Sequence, residues 1–226
     1  MFARILVLAL ALTMLTASSA LAATPPVLTG PTAASIATGK PTLTWTNGPT
    51  GETMHWISIG SSGALTAEGD LVSTSGGDFL SELDAVTSAT VDHVLYAGNY
   101  FYVGYWRTPD FEARGYTPLQ SFVVPTQLAM GPQSLIQYSL ITATNITGSF
   151  VTNAKKAVAT CAIYNGTRLV GAQKKVITYT IPKTSTRVYC SDIKVSEKLD
   201  GAKLKLVIKV AAGGKVGSKV SYFRAK

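Results

Sequence analysis

The sequence predicts an all-β protein that consists of two consecutive β-sandwiches. Short apolar alternations separated by clusters of Gly, Pro and Asn recur along the chain, and no segment keeps a helical period. Residues 23–126 contain three Lys or Arg against nine Asp or Glu, whereas residues 127–226 contain sixteen against three. The resulting net charges of −6 and +13 predict a domain boundary at 126/127, close to Pro125.

Residues 1–22 have the features of a secretory signal peptide. Arg4 supplies the positive start, an apolar run extends from Ile5 to Leu15, and Ala20-Leu21-Ala22 is an A-x-A cleavage site. The apolar run is shorter than the ~20 residues that a membrane-spanning helix needs. The sequence therefore predicts cleavage after Ala22, a secreted or periplasmic protein, and no transmembrane segment in the mature chain.

Five strands are predicted in residues 23–126, and 100–107 is the most informative of them. The turn Ala97-Gly98-Asn99 precedes it, because Gly and Asn tolerate positive φ. Aromatic and β-branched residues follow, and they favour a pleated surface. Side chains alternate across a strand, so one face carries Phe101, Val103 and Tyr105 and the other carries Tyr100, Tyr102 and Trp106. The remaining strands are predicted at 42–46, 54–60, 89–95 and 119–124.

Three segments of this half resemble fibronectin type III-like modules of bacterial secreted proteins. Leu95-Tyr96-Ala97-Gly98-Asn99-Tyr100-Phe101-Tyr102 resembles the E–F corner of that family. Pro41-Thr42-Leu43-Thr44-Trp45-Thr46 resembles its strand B, and Trp56-Ile57-Ser58-Ile59-Gly60 resembles its strand C. The resemblance covers roughly residues 26–125 and implies a fibronectin type III-like or Ig-like sandwich. It implies little about function, because one fold hosts many functions. We expect Trp45 inside this sandwich, near Phe101 or Val103.

Residues 127–226 predict a second, basic, Ig-like sandwich. In the segment 203–210 apolar residues alternate with lysines, so Lys203, Lys205 and Lys209 are expected to face solvent. Asn165-Gly166 predicts a hairpin turn, and its surroundings faintly resemble pieces of other envelope Ig-like domains. Strands are predicted at 134–144, 157–164, 176–181, 187–195 and 202–210.

The two cysteines, Cys161 and Cys190, both fall in predicted strands of the second sandwich. An even cysteine count in an exported chain favours a disulfide, and two buried thiols are the alternative. A bridge over this loop would stabilise the fold by about 3–4 kcal/mol in the chain-entropy model. No zinc site is expected, because a bare pair lacks the four ligands of such a site.

The sequence indicates a non-catalytic protein without a cofactor. The only histidines are His55 and His93, and no G-x-S-x-G, H-E-x-x-H, P-loop or Rossmann motif is present. Carboxylates in the weakly patterned segment 68–84 could hold calcium, but their spacing is not that of an EF-hand. Solvated loop carboxylates are the simpler interpretation, so no metal is expected. These residues are Glu68, Asp70, Asp78, Glu82 and Asp84.

Three functional hypotheses follow from these patterns. The first and favoured one is a binding or adhesion protein of the bacterial envelope, whose aromatic face (Tyr100, Tyr102 and Trp106) contacts a protein or carbohydrate. The alternative for that face is that a loop or the neighbouring domain covers it.

The second hypothesis is a protein that binds lipopolysaccharide, teichoic acid or extracellular DNA through Lys203, Lys205 and Lys209, without specific nucleic-acid recognition. The alternative for these residues is a solvated lysine face that maintains solubility and protects sheet edges. The third hypothesis is an accessory module of a secreted hydrolase system.

Overall fold

The computed structural model describes residues 23–139, 143–179 and 183–225, and the predicted signal peptide lies outside the described residues. Apart from one five-residue helix, α1 (Ala33–Ala37), and a 3-10 turn (Glu197–Leu199), the described regular structure is β. The predicted all-β class is confirmed. The described helices include none that is long and apolar enough to cross a bilayer.

Residues 27–124 form two antiparallel sheets. The first half contains β1 (Val27–Leu28), β2 (Thr42–Thr46), β3 (Thr53–Gly60), β4 (Asp78–Leu80), β5 (Ser88–Thr90), β6 (Gly98–Arg107), β7 (Arg114–Tyr116) and β8 (Gln120–Val124). One sheet has the order β1-β2-β5, and the other has β4-β3-β6 with β7 and β8 both paired to β6. In the lettering of Ig-like sandwiches these sheets are A-B-E and C′-C-F-G, with β7 as an addition. The first half is therefore a fibronectin type III-like β-sandwich.

The core of this sandwich contains Trp45, which is 3% exposed, as the sequence predicts. The core cluster that contains Trp45 includes the aromatic residues Tyr100, Tyr102 and Phe122 and does not include Phe101 or Val103. The Tyr102 hydroxyl lies 2.8 Å from the Gly30 carbonyl and 2.6 Å from Gln120 Oε1, so this buried polar group has partners.

The predicted aromatic binding face is corrected by these positions. Tyr100, Tyr102 and Trp106 are 3%, 2% and 7% exposed, so none of the three offers a surface to a ligand. Alternation along β6 is as predicted, but it does not say which face points inward. On the opposite face, the loop at Gly63 packs on Phe101 so closely that a Cβ there would lie 2.8 Å from the ring.

The second half repeats the same strand order. Its strands are β9 (Leu128–Ser139), β10 (Ala143–Thr152), β11 (Lys156–Asn165), β12 (Arg168–Thr178), β13 (Lys183–Cys190), β14 (Lys203–Ala212) and β15 (Lys215–Arg224). The sheets are β9-β10-β13 and β12-β11-β14-β15, again A-B-E and C′-C-F-G. The predicted turn at Asn165-Gly166 joins β11 and β12, and Gly166 has a φ of 58°.

Several strand predictions in this half were incomplete, and the one at 176–181 covers only the end of β12 before it reaches residues 180–181, which lie outside the described residues. The prediction at 134–144 merges the end of β9 with the start of β10, and residues 140–142 lie outside the described residues. The prediction at 187–195 runs past the end of β13 at Cys190. The edge strand β15 was not predicted, because Gly217 and Ser218 interrupt its apolar pattern and most of its residues are exposed.

The disulfide prediction is confirmed. Cys161 on β11 and Cys190 on β13 are bonded, with Cα atoms 6.3 Å apart, and both are buried. Because β11 and β13 belong to different sheets, the bond ties the two layers together across the core. The core is completed by the inward side chains of β14, which are at most 1% exposed: Leu204, Leu206, Ile208 and Val210.

A polar joint connects the two halves. Tyr96, from the E–F corner of the first half, is 9% exposed and belongs to the hydrophobic core of the second half. Its hydroxyl donates to the Tyr179 carbonyl at 3.2 Å, and the Lys155 ammonium lies 5.5 Å from its ring. Gln127 Nε2 donates to the Ala37 carbonyl at 2.6 Å. We propose 126/127 as the domain boundary, because this position lies between β8 and β9.

Asn153 is the central residue of this joint and is 1% exposed. Its Oδ1 accepts the Gln127 N–H at 2.7 Å, and its Nδ2 donates to the carbonyls of Pro125 at 3.1 Å and Leu95 at 3.4 Å. Its carbonyl also accepts the Ala97 N–H at 3.0 Å. One buried side chain therefore holds the E–F corner and the interdomain segment together.

Candidate functional site

Four aromatic side chains form a row on the outer face of the β4-β3-β6-β7 sheet, one from each strand. We call this row the aromatic ridge: Phe79, Trp56, Tyr105 and Tyr116. Trp56 is directly opposite Tyr105, and Tyr105 is directly opposite Tyr116, so both pairs project from the same face. The row crosses three interstrand gaps, about 14 Å in total.

The rings of the aromatic ridge contact one another along the row. The rings of Trp56 and Tyr105 are stacked, with centroids 3.9 Å apart and planes 12° from parallel. Phe79 lies 6.2 Å from Trp56, and Tyr116 meets Tyr105 edge-on at 5.2 Å. The stacked faces of Trp56 and Tyr105 therefore cover each other, and the Nε1 edge of the Trp56 indole is buried. Phe79 is the most exposed member, at 51%.

A β-bulge places His55 beside the ridge. The pairing of β3 with β6 shifts register between Met54 and Trp56, so His55 is an extra residue in the ladder. Its ring centroid lies 5.2 Å from that of Trp56 and 6.3 Å from that of Tyr105. Strict alternation would have sent His55 to the opposite face from Trp56, which is why the sequence pattern does not place it here.

Asp84 anchors the polar rim of the ridge. Its Oδ2 lies 2.7 Å from His55 Nδ1 and 3.3 Å from Arg107 Nη2, and the Thr53 hydroxyl donates to its Oδ1 at 3.3 Å. Burial by itself would raise the pKa of Asp84, but the hydrogen bonds and charges of His55 and Arg107 outweigh it and lower the pKa. Asp84 therefore stays ionised at neutral pH.

Within the described residues, the His55–Asp84 pair does not extend to a nucleophile. Hydroxyl and thiol groups are not hydrogen-bond partners of either imidazole among the described residues, where His55 contacts Asp84 and His93 contacts Asp92. A nucleophile–base pair is the geometric requirement for covalent catalysis. The arrangement can fix charges and hydrogen bonds for a partner.

The acidic segment 68–84 is not gathered around one point. Asp84 pairs with His55 and Arg107, and Asp70 lies 3.5 Å from the Tyr116 hydroxyl. Burial, followed by the charge of Asp70, raises the pKa of Tyr116. Among the described residues, the only cluster with metal-ligand spacing is Asp78 with Asp92 and His93, two of which are exposed. The cluster has no feature beyond proximity that assigns a metal to it.

The predicted lysines lie on the outer face of the β12-β11-β14-β15 sheet. Lys203 and Lys209 are exposed, and Lys205 is half-buried. The ammonium of Lys203 lies 5.2 Å from the Tyr222 ring centroid and that of Lys205 lies 5.0 Å from the Tyr164 centroid, both within cation–π range. Rows of valine cross the same face, so we call it the lysine–valine face. Its exposed apolar members include Val176, Val216, Val220 and Tyr222.

The sequence has no match among protein-family models, and no curated protein is significantly similar to it. Similar solved structures include a two-domain fibronectin type III segment of chicken tenascin, with 7% identity, 90% of this chain and 99% of that chain covered, and a TM-score of 0.46. They also include the FN1–FN3 domains of chicken CNTN1, with 8% identity, 84% and 61% covered, and a TM-score of 0.30. Dimeric latent PorU from Porphyromonas gingivalis has 14% identity, with 90% of this chain but 20% of that chain covered, and a TM-score of 0.32.

These comparisons concern architecture alone, and at such identities no function is transferred. The strand order described above defines the class of the protein. It is an all-β chain with a fibronectin type III-like sandwich followed by a second sandwich of the same topology.

Proposed function

We propose that this protein is an exported, non-catalytic binding protein that contacts a protein partner through the aromatic ridge. The observation that carries the proposal is the row of four aromatic rings across four adjacent strands, with Phe79 51% exposed at one end. Tryptophan, tyrosine and arginine are the residues enriched at binding hot spots, and the ridge with Arg107 at its rim combines all three.

The orientation of the rings favours a protein over a carbohydrate. A sugar stacks on an open aromatic face, but the facing surfaces of Trp56 and Tyr105 are occupied by each other. A row of mutually packed rings instead forms a narrow apolar ridge that fits a groove between side chains. We therefore narrow the partner from protein or carbohydrate to protein.

Charge indicates the chemistry of that partner. Residues 23–126 carry a net charge of −6, although Arg107 compensates the charge of Asp84 at the rim of the ridge. Complementary potentials guide association and exclude wrong partners. The fitting surface is an apolar groove with a basic margin.

The disulfide supports export. Disulfides persist in oxidising compartments and are rare in the cytosol, and Cys161–Cys190 is buried between two sheets. We propose that residues 1–22 direct the chain to the periplasm or the cell exterior and are removed after Ala22. The intact mass of the exported protein tests this proposal, because a chain that still begins at Met1 would contradict it.

The ridge is tested by cross-linking the exported protein to envelope and secreted proteins, followed by titration of any purified partner. Phe79→Ala and Trp56→Ala should each weaken affinity at least tenfold, as expected for hot-spot residues. Tyr189→Ala is the matched control, because Tyr189 is an aromatic residue with 59% exposure on the second sandwich. Equal loss in the control, or binding to a glycan array that depends on Trp56, would contradict the protein-binding proposal.

A second candidate function is the binding of a polyanion by Lys203, Lys205 and Lys209. It is favoured by the absence of carboxylates from the described residues of the lysine–valine face. The acidic residues of the second half are Asp192, Glu197 and Asp200, all between β13 and β14. If the exported protein elutes from heparin below physiological salt, polyanion binding is contradicted, and these lysines serve only to maintain solubility. The hypothesis of a hydrolase accessory module gains no specific support from the described residues.

A further inference from the structure

We propose that the lysine–valine face binds the surface of an anionic lipid layer. The inference rests on the second candidate function and names its ligand class. Lysines alone would suit any polyanion. The distinguishing observation is that apolar and cationic rows alternate across one sheet face.

The strand register defines these rows. Val176 on β12 and Val216 on β15 are the ends of one apolar row, connected through β11 and β14. The next row carries Lys174 and Lys209, which are both directly opposite Thr160. Rows that contain lysines from β12 and β14 therefore alternate with apolar rows across the sheet, and successive rows are about 6.6 Å apart.

The following rows continue the pattern. Val220 pairs with Val207 in a second apolar row, and Lys205 then lies between Tyr164 and Tyr222. Val176, Val216 and Val220 are 58%, 60% and 48% exposed. A linear polyanion would leave these valines in water, because it offers phosphates or sulfates but no apolar phase.

An anionic lipid layer offers charged headgroups for the lysines and an apolar acyl region for the valines. Lysine places its ammonium at the headgroups while its methylenes and neighbouring apolar residues approach the acyl boundary. Tyr222 is 62% exposed, and tyrosine is enriched at such interfaces. The Lys203 ammonium, held 5.2 Å from the Tyr222 ring centroid, lies at the same end of the face. Anionic headgroups attract each lysine near the surface. The described residues of this sheet contain no Asp or Glu that would repel those headgroups.

The test uses the full exported chain with vesicles of phosphatidylcholine alone and of phosphatidylcholine mixed with phosphatidylglycerol, at about 0.1 M salt. Binding is expected only to the mixed vesicles. Lys205→Gln with Lys209→Gln should weaken it about fivefold per lysine removed. Arg187→Gln with Lys194→Gln is the control, because it removes the same charge from outside the strands of this face: Arg187 is on the other sheet, and Lys194 is in the segment between β13 and β14.

A second variant separates lipid from polyanion. Val176→Thr, Val216→Thr and Val220→Thr together keep the β-branched shape and remove only the apolar character. This variant should lose vesicle binding and keep heparin binding, with an unchanged circular dichroism melt. Vesicle binding equal to wild type in this variant would overturn the proposal.

The lipid proposal and the polyanion proposal can be refuted independently of each other. If the wild type binds heparin but not the mixed vesicles, the lipid proposal is overturned and polyanion binding stands. If it binds neither, both are overturned.

Discussion

Replacement of Asn153 by Ala is expected to loosen the joint between the two sandwiches. The change removes three side-chain hydrogen bonds, to the Gln127 N–H and to the carbonyls of Pro125 and Leu95, at a position that is 1% exposed. The change removes little apolar contact surface. The expected loss of stability therefore comes from the buried polar groups that lose their partners. A buried donor without a partner costs about 1–3 kcal/mol.

The magnitude follows from those three groups. The Gln127 N–H has a single hydrogen, so losing its acceptor costs the whole free energy of an unpaired buried donor. A carbonyl has two lone pairs, so losing one donor costs less. We expect a loss of about 2–4 kcal/mol in the free energy of unfolding, of which the two carbonyls account for about 1 kcal/mol. For a chain of this size, that corresponds to a fall in Tm of about 4–16 °C.

The assay is unfolding of residues 23–226, measured by calorimetry and in urea. If Asn153 couples the halves, Asn153→Ala should also separate one thermal transition into two. Asn99→Ala is the matched control, because Asn99 is an exposed residue of β6. Asn153→Asp should be at least as damaging, since a carboxylate cannot donate to the two carbonyls. A loss under about 0.5 kcal/mol for Asn153→Ala, typical of surface substitutions, would refute the central role of this residue.

Three further predictions concern stability. Changing Cys161 and Cys190 to Ala together should lower the free energy of unfolding by about 3–4 kcal/mol, measured in urea, and a smaller effect than about 1 kcal/mol would contradict the entropic argument. Trp45→Ala should cost about 3–5 kcal/mol by the same measurement, because the side chain is 3% exposed, and a normal melt would contradict its place in the core. Burial raises the pKa of Tyr102 to about 12 from 10.0. The raised pKa contributes stability that is complete below pH 10 and is lost as the pH rises through 12. Tyr102→Phe should therefore make the free energy of unfolding depend less steeply on pH between pH 10 and 12.

Regular alternation made β14 predictable from the sequence. Its strict order of lysine and aliphatic residues identified both the strand and its buried face. In β6, aromatic and β-branched residues occupy both faces, so alternation left the inward face undecided. The decision depends on distant residues: the Gly30 carbonyl and Gln120 satisfy the Tyr102 hydroxyl inside, and the loop at Gly63 covers Phe101 outside.

The aromatic ridge and the joint could not be predicted from the sequence, for a related reason. The ridge gathers residues 56, 79, 105 and 116 from four strands, and each is an unremarkable aromatic in its own segment. His55 reaches the ridge only through a bulge, which breaks the period used to assign faces. Asn153 lies between two strands in a loop, where an asparagine ordinarily indicates a solvated turn. In each case the missing information is which distant segments meet.

The joint has a functional consequence if both proposed surfaces are used. The aromatic ridge and the lysine–valine face are on equivalent sheets, C′-C-F-G, of two sandwiches with opposite net charge. A protein partner that is itself attached to an anionic envelope surface could engage both, and the second contact would then form at a high effective concentration. That gain requires a joint of defined geometry. Asn153→Ala should therefore weaken attachment to partner-bearing vesicles more than it weakens binding to the isolated partner or to bare vesicles. Equal losses in all three would mean that the two surfaces act independently.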